Sequence, residues 1–136
     1  MTYVDTSVWL RVLLGDPDRL ERWAELEDPV VNELVMVEGL RTLDRLRLTG
    51  QVTDSQAAAQ HGAFRALLAR VPVAELSPAV FKRASEAFPV VVGTLDALHL
   101  ATALALRDEA GASMRLATHD AQLARAGRAM GLEVLG

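Results

Sequence analysis

Tyr3-Val4-Asp5-Thr6-Ser7-Val8-Trp9-Leu10-Arg11-Val12-Leu13-Leu14-Gly15 decides the fold class. Tyr3-Val4 begins a buried strand, Asp5-Thr6-Ser7 closes it, and Val8 to Leu14 reads as a helix that ends at Gly15-Asp16-Pro17. The same alternation recurs down the chain. Pro29-Val30-Val31 is a second short strand, followed by a helix from Glu33 to Leu48 that Thr49-Gly50 stops. Thr53-Asp54-Ser55 supplies an N-cap for an Ala-rich helix, Gln56 to Arg70. Val71 to Leu76 is the third strand, and Ser77-Pro78 opens a helix with proline in its first turn. Val90-Val91-Val92 is a short apolar piece ending at Gly93, and Thr94 caps a helix that runs to Arg107. Met114 to Thr118 is the fourth strand, Asp120 caps a last helix that ends at Gly131, and Leu132 to Leu135 is the fifth strand. A further helix is expected over Arg19 to Glu27, because Leu20, Trp23 and Leu26 share one face. That face reads as core, with a partner or dimer surface as the alternative.

Short apolar strands separated by helices require right-handed crossovers and a parallel sheet covered on both faces. The expected class is α/β: a three-layer α/β/α domain with a central parallel sheet of about five strands. With 136 residues and 51% apolar content, the chain fits one domain, 1–136, with a real core, and intrinsic disorder is excluded. The absence of cysteine excludes disulfides, thiolate metal sites and a cysteine nucleophile. No apolar run approaches the roughly 18–20 residues that span a bilayer, and Met1-Thr2-Tyr3-Val4-Asp5 lacks the basic start of a signal peptide. The expected location is cytoplasmic, without membrane contact.

Net charge is −4, from 18 acids against 14 bases, of which only Lys82 is lysine. A nucleic-acid binder usually shows a basic surplus. Arginine is the better bidentate partner of phosphate, however, and divalent cations in an acidic site cancel its charge locally. Charge alone therefore leaves nucleic acid open.

Ligands of open α/β sheets bind beyond the carboxyl ends of the strands. Asp5 ends the first strand, Asp120 follows the fourth, and Asp96 lies in the first turn after Val90-Val91-Val92-Gly93. Glu38 sits one turn into the helix after the second strand. Taken singly, Asp5 and Asp120 read as N-caps and Asp96 as a complement to the helix dipole. Glu38 resists such a reading, since it stands among Leu34, Val35, Met36, Val37 and Leu40; its structural partner would be Arg41 at i+3. Glu33, at the helix start, is explained by capping. Four carboxylates converging on one rim repel unless a cation sits between them, and oxygen-only ligands suit Mg²⁺ or Mn²⁺ rather than zinc. His99, three residues after Asp96, reads as a buried, hydrogen-bonded histidine without a catalytic role, and His61 and His119 have no constellation around them.

With these residues laid out, the chain resembles the PIN-domain ribonucleases, and among them the VapC toxins of bacterial toxin–antitoxin pairs. Tyr3-Val4-Asp5-Thr6-Ser7 is similar to the family's opening strand, and Asn32 to Arg41 to its second motif, in which the later glutamate is functional. Asn32 departs from the small Ser or Thr usual there. Leu95-Asp96-Ala97-Leu98-His99-Leu100-Ala101-Thr102-Ala103 is close to the most distinctive signature, and Leu116-Ala117-Thr118-His119-Asp120 resembles the fourth. The resemblance implies a metal-dependent endoribonuclease that hydrolyses RNA phosphodiester bonds and acts as a toxin. It implies Asp5 and Asp96 as direct Mg²⁺ or Mn²⁺ ligands, with Glu38 and Asp120 acting through water or a second ion, and Thr6 and Thr118 adding supporting hydroxyls. It further implies a small cognate antitoxin that places a basic residue in the acidic pocket, and a homodimer. Arg11, Arg41 and Arg45 are candidates for the RNA backbone.

Two other classes compete. A phospho-accepting receiver domain needs paired acids after the first strand and a late lysine, whereas Asp5 stands alone and the sole lysine is Lys82. A catalytically inactive PIN-fold binding module is the alternative from another class; intact acids argue against it.

Overall fold

Consecutive residues of a strand face opposite sides of its sheet, so a strand covered on both faces must be apolar at every position. The computed structural model, which describes residues 1–111 and 113–136, shows this in the last two residues of two adjacent inner strands. β1 (Thr2–Val4) sends Tyr3 to one face and Val4 to the other, and β4 (Arg115–Ala117) divides Leu116 and Ala117 in the same way. β2 (Pro29–Asn32), β3 (Val73–Ala74) and β5 (Glu133–Leu135) complete a five-stranded parallel sheet in the order β3-β2-β1-β4-β5.

Helices α1 (Thr6–Leu13), α2 (Leu34–Leu48) and α3 (Asp54–Leu68) cover one face, where Val4, Val8, Trp9, Val31, Val35 and Phe64 form a core. On the other face α5 (Thr94–Ala110) and α6 (Ala121–Ala129) pack Leu100, Leu104 and Leu123 onto Tyr3 and Leu116, and α4 (Pro78–Ala84) packs against α5. The fold is the expected three-layer α/β/α. Fully buried side chains of this kind stabilise it by roughly 1.5–3 kcal/mol each. Gly127 lets α6 settle on the sheet: a Cβ there would stand 2.6 Å from Leu116 Cδ2. No helix among the described residues is long and apolar enough to cross a membrane.

The segment from Arg19 to Glu27 is not the expected helix. Only one 3₁₀ turn, Trp23–Glu25, forms there. Leu20, Trp23 and Leu26 do pack against the core beside α1 to α3, as an i, i+3 spacing also permits in 3₁₀ geometry. The backbone amides are drawn elsewhere: Asp18 N–H donates to Asp16 Oδ1 at 2.8 Å and Leu20 N–H to His119 Nε2 at 3.0 Å. The third strand is likewise shorter than expected, because it is an edge strand and Pro72 has no N–H to pair. α5 begins after Gly93 rather than at a Thr94 cap, and it runs on to Ala110, where Gly111 ends it in a left-handed conformation at φ 58°.

The chain leaves β1 towards β2 on one side and reaches β4 on the other. The carboxyl ends of β1 and β4 therefore adjoin where the strand order reverses, which is the ligand-binding point of such sheets. Val4 pairs with Ala117, and Asp5 N–H donates to the Ala117 carbonyl at 2.9 Å, which sets Asp5 beside Thr118.

Candidate metal centre

Asp5 is the N-cap of α1 and is also buried, at 5% exposure. Its Oδ2 accepts from Ser7 Oγ at 2.6 Å, Thr118 Oγ1 at 2.9 Å and Ser7 N–H at 3.3 Å. Those donors saturate one oxygen and leave Oδ1 without a protein hydrogen bond. Glu38 repeats the arrangement one helix away: Oε2 accepts from the Thr6 hydroxyl and from His99 Nε2, and Oε1 is uncommitted. Asp120 gives Oδ1 to the amides of Gln122 and Leu123, each at 2.8 Å, so its capping role also holds, and Oδ2 stays free. Among the described residues Asp96 caps nothing, and neither of its oxygens meets a protein donor.

Asp5, Glu38 and His99 each offer a ligand-type atom within 4.8 Å of the others. Asp96 and Asp120 stand outside that group but face it electrostatically. Burial, and then the charges of Asp120 and Asp5, push Asp96 up from 3.8 to about 6, with His99 pulling the other way. Glu38 moves in the opposite direction. Burial would raise it, but the bond to His99, the charge of His99 and the bond to Thr6 hold it below its ordinary value.

His99 explains why Glu38 tolerates its apolar surroundings. The sequence reading paired Glu38 with Arg41, but Arg41 turns outward to Asp44 at 3.1 Å, and the partner comes from α5 instead. His99 is 1% exposed, with Nε2 at 2.8 Å from Glu38 and 3.7 Å from Asp5, and Nδ1 at 2.6 Å from the Tyr3 hydroxyl. A carboxylate only accepts, so Nε2 carries a proton and acts as a donor rather than a metal ligand. Burial, then the charges of Asp5 and Glu38, push the Tyr3 phenol well above its ordinary value, so it stays protonated and shares a hydrogen bond with Nδ1 of the ring. Burial alone would lower His99; the bond to Glu38 and the charges of Asp5, Glu38 and Asp96 outweigh it and raise it.

Three residues here escaped the sequence reading. Tyr3 looked like plain core, although an aromatic hydroxyl on a fully buried strand always needs a partner. Ser7 braces Asp5 and accepts from His119 N–H at 2.9 Å; its place in the opening motif was the available signal. His119 accepts from Leu20, as described above. Asn32 caps α2 through Leu34 N–H and donates to Thr102 at 3.1 Å, while Glu33, expected to cap, accepts instead from Leu76 N–H at 2.9 Å. Of the expected RNA contacts, Arg11 donates to the Asp18 carbonyl at 3.0 Å, Arg41 is paired and Arg45 is exposed.

The donor set fits a hard divalent cation. Asp5 and Glu38 lie together with His99, and the charges of Asp120, Asp5 and Glu38 add to burial in raising Asp96, so carboxylate oxygens dominate the donors available there. The PIN domain family matches residues 2–129 of the chain. The chain belongs to the PIN-domain family. This PIN domain is similar to ribonuclease VapC46 of Mycobacterium tuberculosis (strain ATCC 25618 / H37Rv), with 28% identity over 135 residues, covering 98% of this chain and 95% of that protein. It shares its fold with VapBC2 from Rickettsia felis, solved bound to a DNA fragment from its promoter, at a TM-score of 0.66 and 16% identity, over 98% of this chain and 97% of that one. The fold is also that of Mycobacterium tuberculosis VapC20, described as a Sarcin-Ricin loop cleaving toxin, at a TM-score of 0.65 and 19% identity, over 93% and 95% of the two chains.

Proposed function

We propose that residues 1–136 form a metal-dependent endoribonuclease that hydrolyses RNA phosphodiester bonds in the cytoplasm as the toxin of a toxin–antitoxin pair. The observation that carries this reading is the set of uncommitted oxygens on Asp5, Glu38, Asp96 and Asp120 at the sheet's switch point, in a chain related to a ribonuclease. Asp5 and Asp96 would hold Mg²⁺ or Mn²⁺ directly, with Glu38 and Asp120 completing the site through water or a second ion. When bound, the cation supplies acidification of water and stabilisation of the leaving oxygen.

The chain's own residues do the rest. Thr6, Ser7, Thr118 and His99 hold one oxygen each of Asp5 and Glu38, which orients both carboxylates before any cation arrives. The uncommitted carboxylate oxygens accept the proton of the attacking water, placed in line with the scissile bond. A small antitoxin would silence the site by placing an arginine or lysine among the four acids, where a positive charge relieves the repulsion felt by Asp96. Exposed Phe81, Val91 and Leu95 offer apolar surface for a homodimer contact.

The test is cleavage of total cellular RNA by purified, antitoxin-free protein in Mg²⁺, Mn²⁺ or EDTA, beside Asp5→Asn and Asp96→Asn. Discrete products that need metal and vanish in both variants are expected. Cleavage surviving both substitutions would overturn the site. Metal-loaded protein that binds RNA and leaves it intact would make it a binding module.

A further inference from the structure

Beyond the acids, the same rim carries a cavity of about 470 Å³ whose wall includes Thr118, Asp120, Arg125, Arg128 and Gly136. It shares Asp120 and Thr118 with the acidic centre, and Thr118 Oγ1 touches Asp5 directly at 2.9 Å. The cavity therefore brings one of the four acids, Asp120, together with Arg125 and Arg128 of α6.

Arg125 and Arg128 lie one helical turn apart and are both exposed. Like charges at this spacing repel, a cost that a helix normally offsets with a carboxylate. Six of the chain's thirteen arginines, Arg22, Arg41, Arg47, Arg83, Arg107 and Arg115, pair with an Asp or Glu, and Arg11 and Arg19 donate to backbone carbonyls. Among the described residues neither Arg125 nor Arg128 has such a partner, in a chain with a surplus of acids. Complementing the helix dipole accounts for Arg128, in the last turn of α6, but not for Arg125 in its middle.

We infer that Arg125 and Arg128 form a phosphate subsite that holds the RNA backbone next to the scissile bond, on the Asp120 side of the acidic centre. The inference rests on the nuclease reading above. An RNA strand carries a negative charge at every nucleotide, and cations that cancel the four acids locally leave the phosphates flanking the scissile one to other cationic groups. Two guanidiniums that share a cavity with Asp120 and have no carboxylate partner among the described residues supply that attraction, and their planar forks match phosphate oxygens. Arg11, Arg41 and Arg45, the candidates from sequence, are tied to a carbonyl, tied to Asp44 or without a place in this cavity.

The experiment measures binding of a fluorescein-labelled, random-sequence single-stranded RNA pool by anisotropy, across a KCl series. Ca²⁺ replaces Mg²⁺, and the RNA is checked for integrity afterwards. Wild type is compared with Arg125→Gln/Arg128→Gln and with Arg70→Gln, which changes a cavity wall beside Met1, Asp28 and Pro29 at the amino end of the sheet. The double variant should bind roughly tenfold more weakly, and its salt dependence should flatten by about 0.7 for each phosphate no longer neutralised. Arg70→Gln should match wild type, and in metal-dependent cleavage of total RNA the double variant should raise the half-saturating RNA concentration without lowering the saturated rate. Wild-type affinity and salt slope in the double variant, or equal weakening by Arg70→Gln, overturns the subsite while the nuclease stands. A wild type that neither binds nor cleaves RNA removes the nuclease reading and the subsite with it.

Discussion

His99 Nε2 stands 2.8 Å from Glu38 Oε2, and this contact closes a line from the Tyr3 hydroxyl through the imidazole to the acidic centre. Each member of the line is held by the next. Tyr3→Phe removes the hydrogen-bond partner of Nδ1 and should cost about 1 kcal/mol in chemical denaturation, the net worth of one hydrogen bond. His99→Leu leaves the Tyr3 hydroxyl buried without a partner and Glu38 held only by Thr6. It should cost more, roughly 2–3 kcal/mol, and weaken Mn²⁺ binding followed by calorimetry. Unchanged Mn²⁺ affinity in folded His99→Leu protein would show that the line serves stability alone.

Asp96 should make the centre sensitive to mild acid. Its carboxyl is raised in the folded chain from 3.8 to about 6, so the folded state holds the proton more tightly than the unfolded state. The sign follows: this group's stabilisation is complete below pH 3.8 and is lost as pH rises towards about 6. Metal-free protein should therefore lose stability across that window, and Asp96→Asn should flatten the loss. Saturating Mn²⁺ should restore Tm at pH 7 in wild type and not in the variant. Thermal melts at stepped pH, with and without Mn²⁺, check all three outcomes.

Asp5 separates charge from capping. Asp5→Asn keeps an oxygen for the donors of Ser7 and Thr118 and should stay folded within about 1 kcal/mol, since Asn caps as well as Asp. It loses the uncommitted anionic oxygen, and metal-dependent cleavage should disappear. Asp5→Ala also strips the cap and orphans three donors, with an expected cost of roughly 2–3 kcal/mol. Circular dichroism with denaturant titration, run beside the cleavage assay, distinguishes the two losses.

Gly39, next to Glu38, is required by packing. A Cβ at this position overlaps the ring of Phe64, which is fully buried where α3 packs on α2. Gly39→Ala should destabilise by about 1–3 kcal/mol through overpacking. Shortening the neighbour in Gly39→Ala/Phe64→Leu should recover part of that loss. A double variant no better than the sum of its single changes would place the cost elsewhere.

The strand–helix alternation was legible because each element is announced locally. Tyr3-Val4 and Leu116-Ala117 are apolar at consecutive positions, as a strand covered on both faces requires, and turn or capping residues follow each pair closely. The acids were legible for the same reason: Asp5, Asp96 and Asp120 sit at the junctions where strand or loop turns into helix, and parallel topology sends those junctions to one rim. Where local pattern was ambiguous the reading failed. The three-residue spacing of Leu20, Trp23 and Leu26 suits a helix and a 3₁₀ turn equally, and the amide of Leu20 was claimed by His119, far away in sequence.

The sequence by itself determined the class of fold, the rim at which the acids gather and the oxygen-rich chemistry they suit, since all three follow from local order along the chain. Only the tertiary structure decided which partners meet. It gave Glu38 to His99 rather than to Arg41, tied Tyr3 to a histidine ninety-six residues away, and set Arg125 and Arg128 beside Asp120. The physical reason is that burial removes water as an alternative partner. A buried polar atom must then take whatever donor or acceptor the packing of distant elements brings within about 3 Å.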